Sequence, residues 1–127
     1  MRVYNYLFYK ISQVVGLFTD SPTFGAIIVM CWLFIFNSFT LFYLFSKNYE
    51  ISQLLDAYAS IAGGILVFGG HLVYFYSKSR YIEIFDSHKN ESNSSSITGF
   101  IAVFIYIFVS IWIHWVYVIP NIWGILK

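Results

Sequence analysis

The sequence has little charge and a single cysteine, and each scarcity excludes a class of protein. Charged residues make up 10% of the 127 residues, whereas a water-soluble domain carries roughly 25%. Because Cys31 is the single cysteine of the sequence, it cannot form an intrachain disulfide or a multi-cysteine metal site. A net charge of +1 gives no electrostatic reason to bind nucleic acid. We therefore predict neither a metal site nor a nucleic-acid partner.

Apolar residues, by contrast, are abundant. They make up 59% of the chain, aromatic residues make up 23%, and the mean hydropathy is +0.71. A folded globule of this size cannot hide so much apolar surface from water, so the lipid bilayer is the expected solvent. The sequence predicts one all-α integral membrane domain over 1–127, with a three-span bundle over 23–119. The predicted transmembrane helices cover about 23–45, 54–77 and 97–119.

Prolines, helical periodicity and charge patterns predict the segments around these spans. Residues 1–18 have the pattern of an amphipathic helix, with apolar residues on one face and polar residues on the other. Such a helix suits the membrane interface, although a partner helix could cover the same apolar face. Pro22 fits the first turn of a helix, and Pro120 ends the third span. We expect the second helix to extend, charged, into the cytoplasm as far as Asp86 or His88, followed by a flexible loop over 90–96. The tail over 120–127 is predicted to return to the interface.

Lysine and arginine are distributed unevenly about these spans. Five lie on the side of the N-terminus and the 78–96 segment, and two lie on the other side. The positive-inside rule then places the N-terminus in the cytoplasm and the C-terminus outside. The expected location is a bacterial cytoplasmic membrane.

Small residues form a stripe along the second span. Wound at about 100° per residue, they share one side of the helix, opposite the bulky residues Ile65, Phe68 and Leu72. Small residues let two helix backbones approach closely in lipid, so we predict that the stripe packs against the other spans or against another chain. Asn37, in the first span, is predicted to form an interhelical hydrogen bond. The predicted helix-packing residues are Ala59, Ser60, Gly63, Gly64, Gly70 and Asn37.

Two histidines lie within the spans and could act in ion or proton transfer. His71 and His114 are each placed about 17 residues into helices of opposite direction, so we expect them near opposite faces of the membrane and not on one metal ion. A polar path is predicted to include His71, Tyr106, Ser110 and His114. A structural, hydrogen-bonding role for each histidine is the competing interpretation. No cofactor is predicted, although a single histidine can ligate haem.

No sequence signature of an enzyme is present. The chain lacks a phosphate loop, a nucleophile elbow and a zinc-protease motif. We predict a non-enzymatic membrane subunit that packs with itself, as a homo-oligomer, or with a larger membrane-protein partner. The alternative is a small oligomeric ion or proton channel, including a membrane-permeabilising effector.

Overall fold

The fold is all-helical. The computed structural model describes residues 2–45 and 57–120. Five α-helices follow in order: α1 over Arg2–Val15, α2 over Pro22–Phe45, α3 over Ala57–Tyr76, α4 over Arg80–His88 and α5 over Asn93–Ile113. The beginning of the predicted second span, 54–56, and residues 121–127 of the predicted tail lie outside the described residues.

Two of the described helical stretches are long and apolar enough to cross a bilayer. They are Pro22–Leu41 and Asn93–Val118, and 28% and 17% of their apolar windows are buried inside the chain. The sequence predicts three spans, and the predicted second span is not one of these two. It is helical over Ala57–Tyr76, a stretch of 20 residues.

Helix α1 packs on one end of the bundle, across α2, α4 and α5. Phe8 and Ile11 are fully or almost fully buried, and Phe8 stacks on Phe75 of α3 with ring centroids 3.9 Å apart. Near its end, Val15 lies against Gly25 of α2 so closely that a side chain at position 25 would collide with it. The apolar face predicted to lie in the membrane interface is therefore covered, in large part, by helices of the same chain.

Helix α3 meets its neighbours through residues of both sides of its helical wheel. From the bulky side, Phe68 and Leu72 pack against the buried core and Phe75 is fully buried. From the side of the small residues, His71 is also buried. The prediction that the bulky side faces outward is therefore wrong for Phe68 and Leu72, because bulky side chains bury far more apolar area against a neighbour than glycines can. Ile61 and Ile65, as expected of lipid-facing residues, are more than half exposed.

The chain breaks between α3 and α4, and the predicted continuous helix to Asp86 or His88 is wrong. Ser77–Ser79 form a 3-10 turn in which Lys78 and Ser79 both have φ of 54°. This left-handed conformation is disfavoured for residues with a Cβ, and after this break α4 packs on α1. Ile84 of α4 is buried there.

Helix α5 begins earlier than predicted. The Oγ of Ser92 accepts a hydrogen bond from the backbone N–H of Ser95, which caps the helix. Residues 93–96, predicted to be part of a flexible loop, therefore form the first turn of α5. At the far end, α5 continues into a π-helical turn over His114–Val118, and turns of this kind occur mostly as short insertions in α-helices.

Candidate functional site

A cavity of about 610 Å³ lies beside α3, next to the end of the bundle that α1 covers. Its walls are predominantly apolar and aromatic and come from three helices. The lining residues are Tyr4, Phe34, Leu66, Val67, Gly70, His71 and Tyr74. The volume lies within the range of about 300–1,000 Å³ that is typical of small-molecule sites.

His71 is the most polar group in the wall of this cavity, and 8% of the residue is exposed. Its Nδ1 lies 2.7 Å from the carbonyl oxygen of Val67, one turn earlier in α3. A carbonyl can only accept, so Nδ1 carries a proton and donates it. Among the described residues Nε2 has no hydrogen-bond partner, although it is buried. The rings of Tyr4 and Phe34 lie about the imidazole at centroid distances of 6.0 and 5.7 Å.

A second, polar groove of about 370 Å³ adjoins the cavity through Tyr74, which lines both. The Arg80 guanidinium carbon lies 4.5 Å above the centre of the Tyr74 ring. The sequence places Arg80 and Glu83 at the spacing of a helical ion pair. The described residues nevertheless contain no carboxylate within salt-bridge distance of Arg80, and the ion pair in α4 joins Lys89 to Asp86 instead. Asn5 and Glu83 also line the groove.

Asn37 joins α2 to α5. Its Nδ2 donates to the hydroxyl of Tyr106 at 2.6 Å and to the carbonyl of Leu33 at 2.8 Å. Its Oδ1 accepts from the hydroxyl of Ser110 at 3.3 Å. Two members of the predicted polar path, Tyr106 and Ser110, are thus brought together by a residue that the sequence assigns to helix packing.

The two histidines of the predicted path do not meet. His114 follows Ser110 by one turn and stacks on Phe36 of α2 at 4.5 Å, whereas His71 lies against Phe34. Residues two apart on a helix point about 200° apart, so the imidazoles lie against opposite sides of α2. No group of three His, Cys, Asp or Glu side chains in the described part of the chain is placed to hold a metal ion.

The small-residue stripe of α3 has no neighbour within the described part of the chain. A Cβ built on Gly63, Gly64, Gly69 or Gly70 would meet no described atom of another element within 4 Å. We call Gly63 and Gly70, which lie seven residues apart on one side of α3, the glycine face. Of the two uses that the sequence allows for the stripe, packing against the other spans of the same chain is not observed at Gly63, Gly64 or Gly70 among the described residues. The side chains of Ala59 and Ser60 lie outside the described residues.

A buried ion pair connects α1 to the start of α5. None of the Lys10 side chain is exposed, and its Nζ donates to Glu91 Oε2 at 2.5 Å and to the Ser96 hydroxyl at 2.8 Å. Glu91 Oε1 accepts from the hydroxyls of Tyr6 at 2.5 Å and Ser95 at 3.1 Å. The ring of Phe100 covers the ammonium group at 4.5 Å. The Lys10–Glu91 cluster comprises Tyr6, Lys10, Glu91, Ser95 and Ser96.

Hydrogen bonding sets the ionisation of this cluster. Burial raises the pKa of the Tyr6 phenol to about 12, assisted by its hydrogen bond to Glu91, so this phenol remains a donor at physiological pH. Burial alone would also raise the pKa of Glu91, but the hydrogen bonds from Lys10, Tyr6 and Ser95 outweigh it and lower that pKa. The carboxylate is therefore ionised at physiological pH.

Gly99 lets Tyr6 and Lys10 of the cluster pack directly against the backbone of α5. A Cβ at this position would overlap the Tyr6 hydroxyl and come within 3.0 Å of Lys10 Cε. Sequence reasoning missed the cluster because Lys10 and Glu91 are 81 residues apart. One signal was available, namely a lone lysine inside an otherwise uncharged stretch of α1.

No protein-family model, curated protein or solved structure matches this chain. Its function is therefore argued from its own geometry. Two features are left without a partner by the described residues: the glycine face, and the buried Nε2 of His71.

Proposed function

We propose that the chain is a non-enzymatic subunit of a membrane assembly, which spans the bilayer with α2, α3 and α5. The glycine face of α3 would pack against a second copy of the chain or against a larger membrane partner. The apolar stretches Pro22–Leu41 and Asn93–Val118 support the membrane location, since most of each is not buried inside the chain. Ile65, Leu66 and Val73 of α3 are likewise two-thirds or more exposed.

The open glycine face is the observation that carries this proposal. Each glycine inside a helix lowers the stability of the helix by roughly 1 kcal/mol relative to alanine. In this chain no described neighbour packs closely against these glycines to offset that loss. In lipid, close backbone approach and dispersion are what hold helices together, and glycine is the residue that permits them. A second polypeptide at this face would supply the missing contacts.

The experiment compares two glycines on different sides of the same helix. Gly63→Leu places a bulky side chain on the glycine face, whereas Gly69→Leu makes the same change about 120° around the helix. Neither position has a described neighbour to clash with, so both variants should fold. After extraction in a mild detergent, the wild type and Gly69→Leu should have the mass of an oligomer or retain a stoichiometric partner, and Gly63→Leu should lose it.

Two outcomes would overturn this proposal. The first is a wild type that is a monomer without any partner after mild extraction. The second is equal association of the wild type, Gly63→Leu and Gly69→Leu.

The orientation of the subunit is proposed from charge. Lys10, Arg80 and Lys89 all belong to the segments at the end of the bundle that α1 covers, and the positive-inside rule places that end in the cytoplasm. A Ser94→Cys variant in a Cys31→Ser background should react with a membrane-impermeant thiol reagent in inside-out vesicles and not in intact cells. Labelling in intact cells would reverse the orientation.

A small oligomeric channel is the second candidate. It is favoured by the connected hydrogen bonds of Asn37, Tyr106 and Ser110, with His114 one turn farther along α5. Polar groups that line a pore in several copies can conduct ions or protons. Liposomes that contain the wild type should then show ion or proton flux, and His114→Ala should alter its pH dependence. Absence of flux from the oligomeric wild type would exclude the channel.

A further inference from the structure

We propose that the polar groove and the apolar cavity beside α3 together bind one phospholipid whose headgroup carries both a phosphate and a primary ammonium group. The groove would hold the headgroup, and the cavity would hold part of an acyl chain. The proposal rests on the membrane location in the proposed function and goes beyond it, because it needs neither Gly63 nor a second polypeptide.

The polar groove contains one side chain of each charge. Arg80 and Glu83 both line it, and in the described part of the chain neither of them belongs to an ion pair. A lone arginine suits any phosphate, but a carboxylate beside it repels a headgroup that carries only negative charge. A headgroup with a phosphate and an ammonium group places an opposite charge beside each side chain. The groove therefore favours a zwitterionic headgroup over an anionic one.

Neighbouring groups hold the donors that would meet the phosphate. The Arg80 guanidinium carbon lies 4.5 Å from the centre of the Tyr74 ring. A guanidinium on an aromatic face still presents N–H groups, which suit a bidentate contact with phosphate oxygens. The Tyr74 hydroxyl donates to Oδ1 of Asn5 at 2.9 Å. This bond fixes the Asn5 amide, whose own N–H groups are donors for a phosphate or ester oxygen.

The apolar cavity continues from the groove. Tyr74 lines both spaces, and the cavity reaches along α3 to Leu66. Eight residues of α-helix rise about 12 Å, which is most of the roughly 15 Å of hydrocarbon in one leaflet. Leu66 is 75% exposed, so the cavity is open on its outer side. An acyl chain needs no enclosure there, since the other lipids of the bilayer cover its free side.

The two spaces lie at the depths that a phospholipid requires. Helix α3 ends at Tyr76, and Arg80 is the first residue of α4. The groove is therefore beside the end of the proposed span, at headgroup level, and the cavity is beside the span itself. In the orientation proposed from charge, this end belongs to the cytoplasmic leaflet. A phospholipid of that leaflet would meet the groove with its headgroup and the cavity with its chain.

Native mass spectrometry of the full-length protein in mild detergent tests the proposal, because one spectrum counts both bound lipids and subunits. The delipidated wild type is titrated with phosphatidylethanolamine, phosphatidylcholine and phosphatidylglycerol that have identical acyl chains. One phosphatidylethanolamine should bind per chain, about fivefold more tightly than either of the others. The choline headgroup has no N–H to donate, and the phosphatidylglycerol headgroup has no positive charge.

Substitutions in α4 test the two charges separately. Arg80→Gln should weaken the binding of all three lipids by about tenfold, since each carries the phosphate. Glu83→Gln should lower the preference for phosphatidylethanolamine over phosphatidylglycerol by about fivefold, because it removes the attraction for the ammonium group. The matched controls, Lys89→Gln and Asp86→Asn, neutralise an ion pair that lines neither space. Both controls should bind each lipid as the wild type does.

Two further arms separate the cavity from the groove and lipid binding from association. Glycerophosphoethanolamine, the headgroup without acyl chains, should bind the wild type on the order of 100-fold more weakly than the lipid does, because each buried CH₂ group contributes to affinity. Gly63→Leu should keep the lipid preference, since Gly63 lines neither space. A variant that loses its partner and keeps its lipid preference would show that the two proposals concern different surfaces.

Three results would overturn the proposal. Equal binding of the three lipids by the wild type would show only the general affinity of a membrane protein for lipid. Wild-type binding by Arg80→Gln, or an unchanged lipid preference in Glu83→Gln, would exclude the groove as the headgroup site. Equal affinity for glycerophosphoethanolamine and for the lipid would exclude the cavity as the acyl-chain site. None of these results depends on the number of subunits, so each leaves association through the glycine face to its own test.

Discussion

The glycines of this chain lie in two contrasting environments. At Gly99 a side chain would collide with Tyr6 and approach Lys10, and both of these residues donate hydrogen bonds to Glu91. At Gly63 and Gly70 the space beyond the backbone holds no described atom within 4 Å. One region is closed by the chain itself, and the other is left open.

The difference follows from what each region contains. A buried ammonium group must find a carboxylate and further acceptors within its own chain, or the fold would lose several kcal/mol. A glycine on a helix has no such requirement, and it gains only when another backbone approaches. The Lys10–Glu91 cluster therefore stabilises the chain itself, whereas the glycine face is the surface that we propose for association.

The largest expected effect is on the ion pair. Glu91→Gln removes the charge that compensates Lys10 while keeping the shape of the side chain, and leaving one member of a buried pair uncompensated is strongly destabilising. We expect a loss of about 3 kcal/mol in the free energy of unfolding, at the lower end of the range for such changes because Ser96 still accepts from Lys10. Chemical unfolding in detergent micelles measures it. The double variant Lys10→Met, Glu91→Gln should recover part of the loss, and a double variant less stable than Glu91→Gln would contradict this assignment.

The next effect compares the two kinds of glycine directly. Gly99→Ala should cost about 2 kcal/mol, because Tyr6 must leave its position and surrender its hydrogen bond to Glu91. Gly63→Ala makes the same chemical change on the glycine face and should be neutral or stabilise the helix by up to about 1 kcal/mol. The unfolding curves of the two variants should separate clearly. Coincident curves would show that the two glycine environments do not differ in their contribution to stability.

Acid should lower the free energy of unfolding by weakening the Lys10–Glu91 ion pair. The expected decrease is part of the decrease expected for Glu91→Gln. The pKa of Glu91 is lowered in the folded chain from an ordinary value of 4.5, so the unfolded chain binds the proton more tightly. The contribution of the ion pair is therefore fully present above about pH 4.5 and is lost as the pH falls through the lower, folded pKa. Thermal unfolding followed by circular dichroism between pH 7 and pH 3 should show this loss in the wild type. The Glu91→Gln variant should lack it, and an identical pH dependence in both would assign the acid sensitivity to other groups.

The smallest expected effect lies at the turn that brings α4 onto α1. Ser79 has φ of 54°, and glycine adopts this conformation without the Cβ clash. Ser79→Gly should raise the melting temperature modestly, by the equivalent of about 0.5 kcal/mol. Ser77→Gly, two residues earlier and without a positive φ, should not. A stabilisation of equal size at both positions would point to a general effect of glycine.

Sequence periodicity predicted the helical class and several boundaries closely. The first predicted span, about 23–45, is matched by α2 over Pro22–Phe45, because a proline signal and an uninterrupted apolar run are local features. Periodicity also separated the two sides of α3. It assigned the wrong role to Phe68 and Leu72, which pack against the core, because a helical wheel shows which residues share a side and not which of them the rest of the chain covers.

Three other features depend on information that is not local. The turn at Lys78 and Ser79 carries neither glycine nor proline, so nothing in that stretch signals a break. The early start of α5 depends on the cap at Ser92 and on the anchoring of Glu91 by Lys10, 81 residues away. The unpartnered nitrogen of His71 becomes visible only when the surrounding rings are in place.

Cysteine cross-linking in native membranes tests the contrast between the closed and open regions most directly. In a Cys31→Ser background, Gly63→Cys places a thiol on the glycine face, and Ile65→Cys places one on an exposed position about 200° around the same helix. Under mild oxidation or with a short bifunctional thiol reagent, Gly63→Cys should cross-link to a second copy or to a partner in high yield, and Ile65→Cys should not. Equal yields at the two positions, or no cross-link at Gly63, would contradict the account.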